Sequence, residues 1–130
     1  MAKSDPWPTE LKVDKDRRLL AVAFDDGASF ALSAELLRVM SPSAEVQGHS
    51  PEERVTVPGK KAVRILRIEP VGNYAARIVF DDGHDTGLYS WRYLYELCQG
   101  QEAKWQTYLD RLAKAGAGRD PDVQVLKLGL

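Results

Sequence analysis

One stretch of this sequence decides the fold: Phe80-Asp81-Asp82-Gly83-His84-Asp85-Thr86-Gly87-Leu88-Tyr89-Ser90-Trp91. Its Asp-Asp-Gly triplet is typical of a tight β-hairpin turn, because Asp tolerates positive φ and Gly adopts it readily. An earlier stretch, Phe24-Asp25-Asp26-Gly27, opens in the same way but lacks the histidine. Both triplets follow an apolar run and precede a short apolar segment that ends in serine. The sequence therefore predicts a repeated unit of strand, turn, strand, serine cap and helix.

The two units predict an α+β fold of antiparallel β-hairpins and small sheets with two or three packed helices. The first unit starts at Leu19 and ends in a helix over 34–40, whereas the second starts at Ala75. Ser33 and Ser90 are the predicted helix caps, because a serine hydroxyl accepts hydrogen bonds from the free N–H groups of a first helical turn. A further strand is expected over 63–68 and a last helix over about 101–115, where apolar residues recur at helical spacing.

The length of 130 residues predicts one domain. We expect a flexible lead-in over residues 1–9, the domain itself over 10–115, and a tail over 116–130. Residues 41–61 form a long polar connection inside that domain. Connections of this length without clear periodicity are often functional.

The composition excludes several classes of protein. A net charge of −1 and a pI near 6.1 give no general attraction to nucleic acid or anionic membranes. The sequence shows neither an apolar run long enough for a membrane span nor the apolar core of a signal peptide. The lone Cys98 excludes an internal disulfide framework. We therefore predict a cytoplasmic protein with no membrane partner and no nucleic-acid partner.

Three runs carry a family resemblance: Glu45-Val46-Gln47-Gly48-His49, Ile68-Glu69-Pro70-Val71-Gly72-Asn73-Tyr74-Ala75, and the Phe80 to Trp91 stretch. They resemble the small bacterial proteins of the domain-of-unknown-function 971 (DUF971) family, which is similar to the N-terminal domain of gamma-butyrobetaine hydroxylase. The resemblance covers about residues 8–115. In larger relatives this domain precedes an Fe(II)/2-oxoglutarate dioxygenase domain, and in others it is joined to an ATP-dependent iron–sulfur cluster carrier of the Mrp type. The resemblance implies a stand-alone member without either activity, so we expect no enzyme.

The same resemblance implies a former zinc position. In the hydroxylases the domain resembles a zinc-binding module with three cysteines and one histidine, and the histidine matches His84. Ser41, Ser43 and Val46 stand where the cysteines are expected. Because a neutral serine hydroxyl is a poor zinc ligand, we expect neither zinc nor another cofactor.

His84 and Asp85 leave three interpretations open. They are a general base with its orienting carboxylate, two metal or partner ligands, or turn residues that bond to the backbone. His49 lies in the long connection, where side chains often carry function. The full set of candidate interaction residues is His49, His84, Asp85, Tyr74, Tyr89, Arg64 and Arg67.

The first functional hypothesis is a non-enzymatic interaction module that binds a protein partner through the 41–61 connection and the His84 turn. By resemblance to the fused relatives, that partner belongs to iron–sulfur assembly or to an oxygenase system, and a homodimer is an open alternative. The second hypothesis is a metal-binding domain that uses His84, His49 and nearby carboxylates. A small hydrolase built on His84 and Asp85 is the third. Under the first hypothesis, the two histidines are loop side chains that contribute little to stability.

Overall fold

The computed structural model describes residues 6–47 and 54–121. The strands are β1 (Pro8–Val13), β2 (Leu19–Phe24), β3 (Ser29–Ser33), β4 (Ile65–Val71), β5 (Ala75–Phe80) and β6 (Leu88–Ser90). The helices in this part of the chain are α1 (Ala34–Val39), α2 (Ala44–Gln47), α3 (Trp91–Gln99) and α4 (Gln101–Lys114). The α+β class and the repeated unit are confirmed, since β2, β3 and α1 recur as β5, β6 and α3.

The strands form two antiparallel three-stranded sheets, in the orders β1-β2-β3 and β4-β5-β6. In the first sheet Val22 lies opposite Leu11 on one side and Phe30 on the other. In the second sheet Ala76 lies opposite Tyr89. Because side chains alternate between the two faces of a strand, each sheet turns one apolar face toward the helices.

One continuous core lies between the sheets and the first and third helices. It holds the largest fully buried side chains, namely Tyr89, Phe80, Leu20, Leu32, Leu37, Ile65, Ile78, Leu94 and Leu97. A smaller cluster of Val39, Tyr108 and Leu112 lies beneath α4. Burial of one such side chain contributes about 1.5–3 kcal/mol to folding, so the two repeated units share most of their stabilising contacts.

Both predicted helix caps are present. The Ser33 hydroxyl accepts a hydrogen bond from the Leu36 N–H at 3.0 Å, and the Ser90 hydroxyl accepts one from the Tyr93 N–H at 3.1 Å. These bonds satisfy N–H groups that have no partner inside the helix. Each helix therefore begins directly at the end of a sheet strand.

Two strand boundaries differ from the prediction. The first sheet already includes β1 from Pro8, so part of the expected lead-in over residues 1–9 belongs to the folded domain. The Trp7 backbone extends this pairing, because its N–H donates to Asp25 Oδ1 at 3.0 Å and its carbonyl accepts from the Asp25 N–H at 2.9 Å. The fourth strand runs past residue 68, its predicted end, to Val71 and therefore includes Pro70. Proline is tolerated there because β4 is an edge strand.

The segment 116–121, predicted to be part of a tail, packs against the domain. The Gly59 N–H donates to the Gly118 carbonyl at 2.9 Å, and the Lys61 N–H donates to the Arg119 carbonyl at 2.9 Å. The Arg119 guanidinium donates to both carboxylate oxygens of the buried Glu35, each at 2.9 Å. None of the helices in the described part of the chain combines the length and hydrophobicity needed to cross a bilayer.

Candidate functional site

The second Asp-Asp-Gly turn positions His84. Gly83 has a φ of +90°, a conformation that L side chains rarely adopt. The Asp82 carboxylate accepts a hydrogen bond from the His84 N–H at 3.0 Å, and the Phe80 N–H donates to the His84 carbonyl at 3.0 Å. The backbone of His84 is thereby fixed on both sides, and its side chain enters the protein interior with 7% of the residue exposed.

A polar cluster surrounds the imidazole. A 2.8 Å hydrogen bond joins Ser41 Oγ to His84 Nε2, and a second 2.8 Å bond joins the hydroxyls of Ser43 and Thr86. The Ser43 N–H also donates to Ser41 Oγ at 3.2 Å. We call Ser41, Ser43, His84 and Thr86 the His84 cluster. Through it the start of the 41–61 connection is held against the second turn.

An ion-pair network reinforces this junction. Asp82 Oδ2 lies 2.7 Å from Arg38 Nε and 2.7 Å from Lys60 Nζ. Burial raises the pKa of the Asp82 carboxyl, but hydrogen bonds from Lys60, the His84 N–H and Arg38 outweigh burial and lower that pKa to about 2. Asp82 is therefore ionised at neutral pH and ties α1 and the end of the connection to the turn. Within the described ranges, Arg38 Nη1 is a buried side-chain nitrogen without a hydrogen-bond partner.

His84 is a neutral imidazole at neutral pH. Burial lowers its pKa below the usual 6.5, and the nearby charge of Arg38 lowers it further. Glu45 opposes that shift, since its Oε2 lies 3.4 Å from His84 Nδ1, but the Glu45 side chain is 66% exposed to water. The imidazole therefore acts as a hydrogen-bonding group inside the fold.

Ser41, His84 and Glu45 are the residue types of a serine, histidine and acid triad, and Ser41 is hydrogen-bonded to His84, but Glu45 is only in 3.4 Å contact with the other ring nitrogen. Ser41 is nevertheless fully buried at 0% exposure, and its hydroxyl is also engaged by the Ser43 N–H. A nucleophile must approach a substrate carbonyl closely, which this burial prevents. The geometry therefore gives no support to the hydrolase hypothesis, and the carboxylate that faces the imidazole belongs to Glu45 and not to the predicted Asp85.

The positions implied for zinc do converge, but their chemistry does not suit the metal. Ser41 and Ser43 lie with His84 in one cluster, and Val46, which stands for the remaining cysteine, is buried with 2% exposure. One imidazole and two neutral hydroxyls do not form the thiolate-rich donor set of a structural zinc site. Among the residues described, no group of three or more His, Cys, Asp or Glu side chains is arranged to hold a metal ion. His49, the other donor of the metal hypothesis, lies outside the described residues.

Within the described residues, no side-chain hydrogen bond or ion pair joins the His84 imidazole to the remaining candidates. Tyr89 is buried and donates its hydroxyl hydrogen to the Leu37 carbonyl, which makes it a core residue. Tyr74 is 57% exposed but precedes β5, about 20 Å from the turn that follows the strand. Arg64 and Arg67 are exposed beside β4, where Arg67 pairs with Glu69 at 2.7 Å. Asp85 is half-buried next to the cluster.

Sequence reasoning missed Thr86, which bonds to Ser43 inside the cluster, and Glu45, whose carboxylate contacts the His84 ring. The resemblance placed the two serines and His84 at one former metal position, and this was the signal that could have led to them. Spacing along the chain held no such signal, because Ser41 and His84 are 43 residues apart.

The repeated hairpin and helix units define a class of small α+β domain that is known from solved structures. A protein with an NMR solution structure is 50% identical, with 100% of this chain and 99% of that chain covered and a TM-score of 0.78. A second NMR solution structure shows 45% identity, coverage of 98% and 100%, and a TM-score of 0.79.

A third relative is a protein of unknown function of the DUF971 family from Acidithiobacillus ferrooxidans ATCC 23270, with a crystal structure at 1.93 Å. It is 36% identical, covers 72% of this chain and 97% of its own, and has a TM-score of 0.60. No curated protein matches the chain. The family described as gamma-butyrobetaine hydroxylase-like, N-terminal, matches residues 11–95, and the chain belongs to that family.

Proposed function

We propose that this protein is a non-catalytic binding module that captures a protein partner. The binding surface is the exposed side of α2 (Ala44–Gln47) together with the turn residues Asp85 and Thr86, which we call the α2 face. The observation that carries the proposal is the pair of 2.8 Å hydrogen bonds, Ser41 to His84 and Ser43 to Thr86. They join the two segments that the sequence singled out into one continuous surface.

The chemistry of the His84 cluster supports a structural role beneath that surface. Ser41, Ser43 and His84 are buried and bonded to one another, so they hold the face rather than contact the partner. A surface that is ordered before binding loses less conformational entropy when the partner arrives. The exposed carboxylate of Glu45 and the neighbouring Asp85 give the α2 face acidic groups, which favour a partner with basic side chains.

The family resemblance favours one class of partner. It implies that relatives carry this domain joined to a 2-oxoglutarate dioxygenase domain or to an iron–sulfur cluster carrier, and the family that matches residues 11–95 is described as gamma-butyrobetaine hydroxylase-like, N-terminal. We propose that the stand-alone chain serves as an accessory to an oxygenase or to iron–sulfur assembly. It would bind, as a separate protein, the kind of domain to which its relatives are fused.

The test compares two charge reversals on exposed side chains. Glu45→Lys changes the α2 face, and Glu10→Lys makes the same change on β1. Tagged wild-type protein and both variants are incubated with an extract of the native host, and the recovered proteins are quantified by mass spectrometry. We expect Glu45→Lys to lose at least about tenfold of a partner that Glu10→Lys retains. Equal recovery with both variants, or recovery of this chain alone, would contradict the proposal.

A further inference from the structure

We propose a small-molecule site that is separate from the α2 face. A cavity of about 330 Å³ opens between α1, α4 and residues 54–56, and we call it the α4 pocket. The ligand class that fits its lining is a small amphipathic organic anion, with an apolar body and one carboxylate or phosphate head. The volume lies at the lower end of the range of about 300–1,000 Å³ that is typical of small-molecule sites.

The apolar part of the pocket is built from core residues. Val39 and Tyr108 line it, and both are buried in the small cluster beneath α4. The Tyr108 hydroxyl donates to the Val57 carbonyl at 2.5 Å, which fixes the ring across the back of the cavity. Met40, Val55 and Ala103 also belong to the apolar lining. Because these side chains are held by the fold itself, an apolar ligand body would enter a preformed space.

The charged side chains in the described lining of the pocket are basic. They are Arg54, Lys104 and Arg111, and among the residues that the structure describes the lining includes neither Asp nor Glu. Arg54 donates to the uncharged Ser41 carbonyl at 3.5 Å. Lys104 forms no ion pair with any residue in the described ranges. An anionic head beside these groups would gain charge-assisted hydrogen bonds that a neutral head would not make.

The hydroxyls of Thr56 and Thr107 add short polar groups to the same lining. Apolar walls with a few convergent polar and charged groups are the usual composition of a small-molecule site. The α4 pocket shares no residue with the α2 face, so the two proposals fail or hold independently.

The first experiment is an NMR titration of the ¹⁵N-labelled full-length chain with four probes. Sodium octanoate and octyl phosphate carry the two candidate heads on one apolar body, 1-octanol carries the body without the charge, and acetate carries the charge without the body. We expect saturable shifts around Lys104 and Thr107 with at least one octyl anion, and at least about tenfold weaker binding of octanol and acetate. Which octyl anion binds more tightly identifies the head group. Equal binding of octanol, or shifts spread over the whole surface, would overturn the proposal.

A matched pair of variants tests the charge. Lys104→Gln removes a pocket cation, and Lys114→Gln removes an exposed cation at the end of the same helix. We expect Lys104→Gln to weaken binding of the preferred anion at least about fivefold and Lys114→Gln to leave binding unchanged. Equal weakening by both variants would show general charge attraction and would overturn the site.

Ala103→Trp tests the cavity, because Ala103 is exposed at the pocket mouth and a large ring there fills the space. We expect this variant to keep the wild-type NMR fingerprint away from the pocket and to lose the saturable shifts. Undiminished binding by the filled variant would place the ligand elsewhere and contradict the proposal.

Discussion

The two hairpin and helix units share one backbone design. Gly27 has a φ of +88° and Gly83 a φ of +90°. Asp26 Oδ1 accepts a hydrogen bond from the Ala28 N–H at 2.9 Å, and Asp82 Oδ1 accepts the equivalent hydrogen bond from the His84 N–H at 3.0 Å. The same local sequence thus produces the same turn twice, since the carboxylate and the glycine both act within a few residues.

Each turn is also tethered to the helix of the other unit. Asp26 Oδ2 accepts from the Tyr95 hydroxyl at 2.7 Å, and Asp82 Oδ2 accepts from Arg38 Nε at 2.7 Å. Tyr95 and Arg38 are equivalent positions, because each lies five residues after its capping serine. The hydrogen bond from Tyr95 lowers the pKa of Asp26, so both turns bind through an ionised carboxylate. Both units therefore keep a contact between the turn aspartate and the helix of the other unit, but the donor is a tyrosine hydroxyl in one contact and an arginine in the other.

The units differ in what closes the turn. In the first unit the Phe24 ring lies 6.1 Å from Phe30 and 4.8 Å from Tyr95, measured between ring centroids in edge-to-face geometry. In the second unit Gly87 leaves space for Ser41, which bonds to His84. Aromatic packing is part of the contact between the first turn and α3, whereas the polar contact of the second turn involves Ser41 at the start of the 41–61 connection.

The largest expected effect is on His84. His84→Ala removes a buried side chain and the 2.8 Å hydrogen bond between Ser41 and His84, so we expect the free energy of unfolding to fall by about 2–4 kcal/mol in a urea titration. This replaces the sequence-based expectation of a small cost, because the side chain is buried. His49→Ala keeps the original expectation of a change within about 0.5 kcal/mol. If both variants lose equally little free energy of unfolding, the hydrogen bonds of the His84 cluster contribute little to stability.

Gly87→Ala should disturb the same hydrogen bond between Ser41 and His84, because Gly87 lies against Ser41. A Cβ at Gly87 would lie 2.4 Å from Ser41 Oγ and 3.2 Å from the Tyr89 ring. We expect a loss of about 1–3 kcal/mol from this overpacking, measured by chemical denaturation. Gly118→Ala is the control, because a Cβ there meets nothing within 4 Å. A Gly87→Ala variant as stable as the control would refute the close approach.

The two turn carboxylates should differ in their pH dependence. The pKa of Asp82 falls from 3.8 to about 2 on folding, so its contribution to stability is complete above the unfolded value and disappears as the pH falls through the folded value. We expect Asp82→Asn to cost about 1 kcal/mol at pH 7 after allowance for solvent screening, and almost nothing near pH 2.

Asp26→Asn is the matched variant and should cost less, because Asp26 is bound by a neutral hydroxyl and lies at the surface. Unfolding titrations of both variants between pH 7 and pH 2 measure the difference. A larger loss for Asp26→Asn would reverse the assignment of the ion-pair network as the stronger tether.

Removal of metal should have no effect at all. A structural zinc contributes directly to folding, and the donor set of the His84 cluster does not suit zinc. We therefore expect a chelator to leave the melting temperature unchanged and elemental analysis to find no stoichiometric zinc. Zinc that co-purifies with wild-type protein and is lost from His84→Ala would contradict this expectation.

The parts of the fold that sequence predicted are local. Turn residues and capping serines act on neighbours two or three positions away, so their patterns identified both repeated units. The contacts that the sequence could not predict join residues far apart along the chain. Glu45 faces an imidazole 39 positions along the chain, and Arg119 pairs with a carboxylate 84 positions away. The four-residue α2 is also too short to produce a periodic signal.

The contact between Arg119 and Glu35 has a consequence for where this domain can be truncated or fused to another domain. The family match ends at residue 95, yet the carboxylate in α1 has its cationic partner at Arg119, whose guanidinium also stacks 5.0 Å from the Trp105 ring. A gene fusion made at residue 95 would leave the buried carboxylate of Glu35 in α1 without its arginine partner. We therefore expect a fused relative either to retain an arginine at the position of Arg119 or to lack the acid at the position of Glu35.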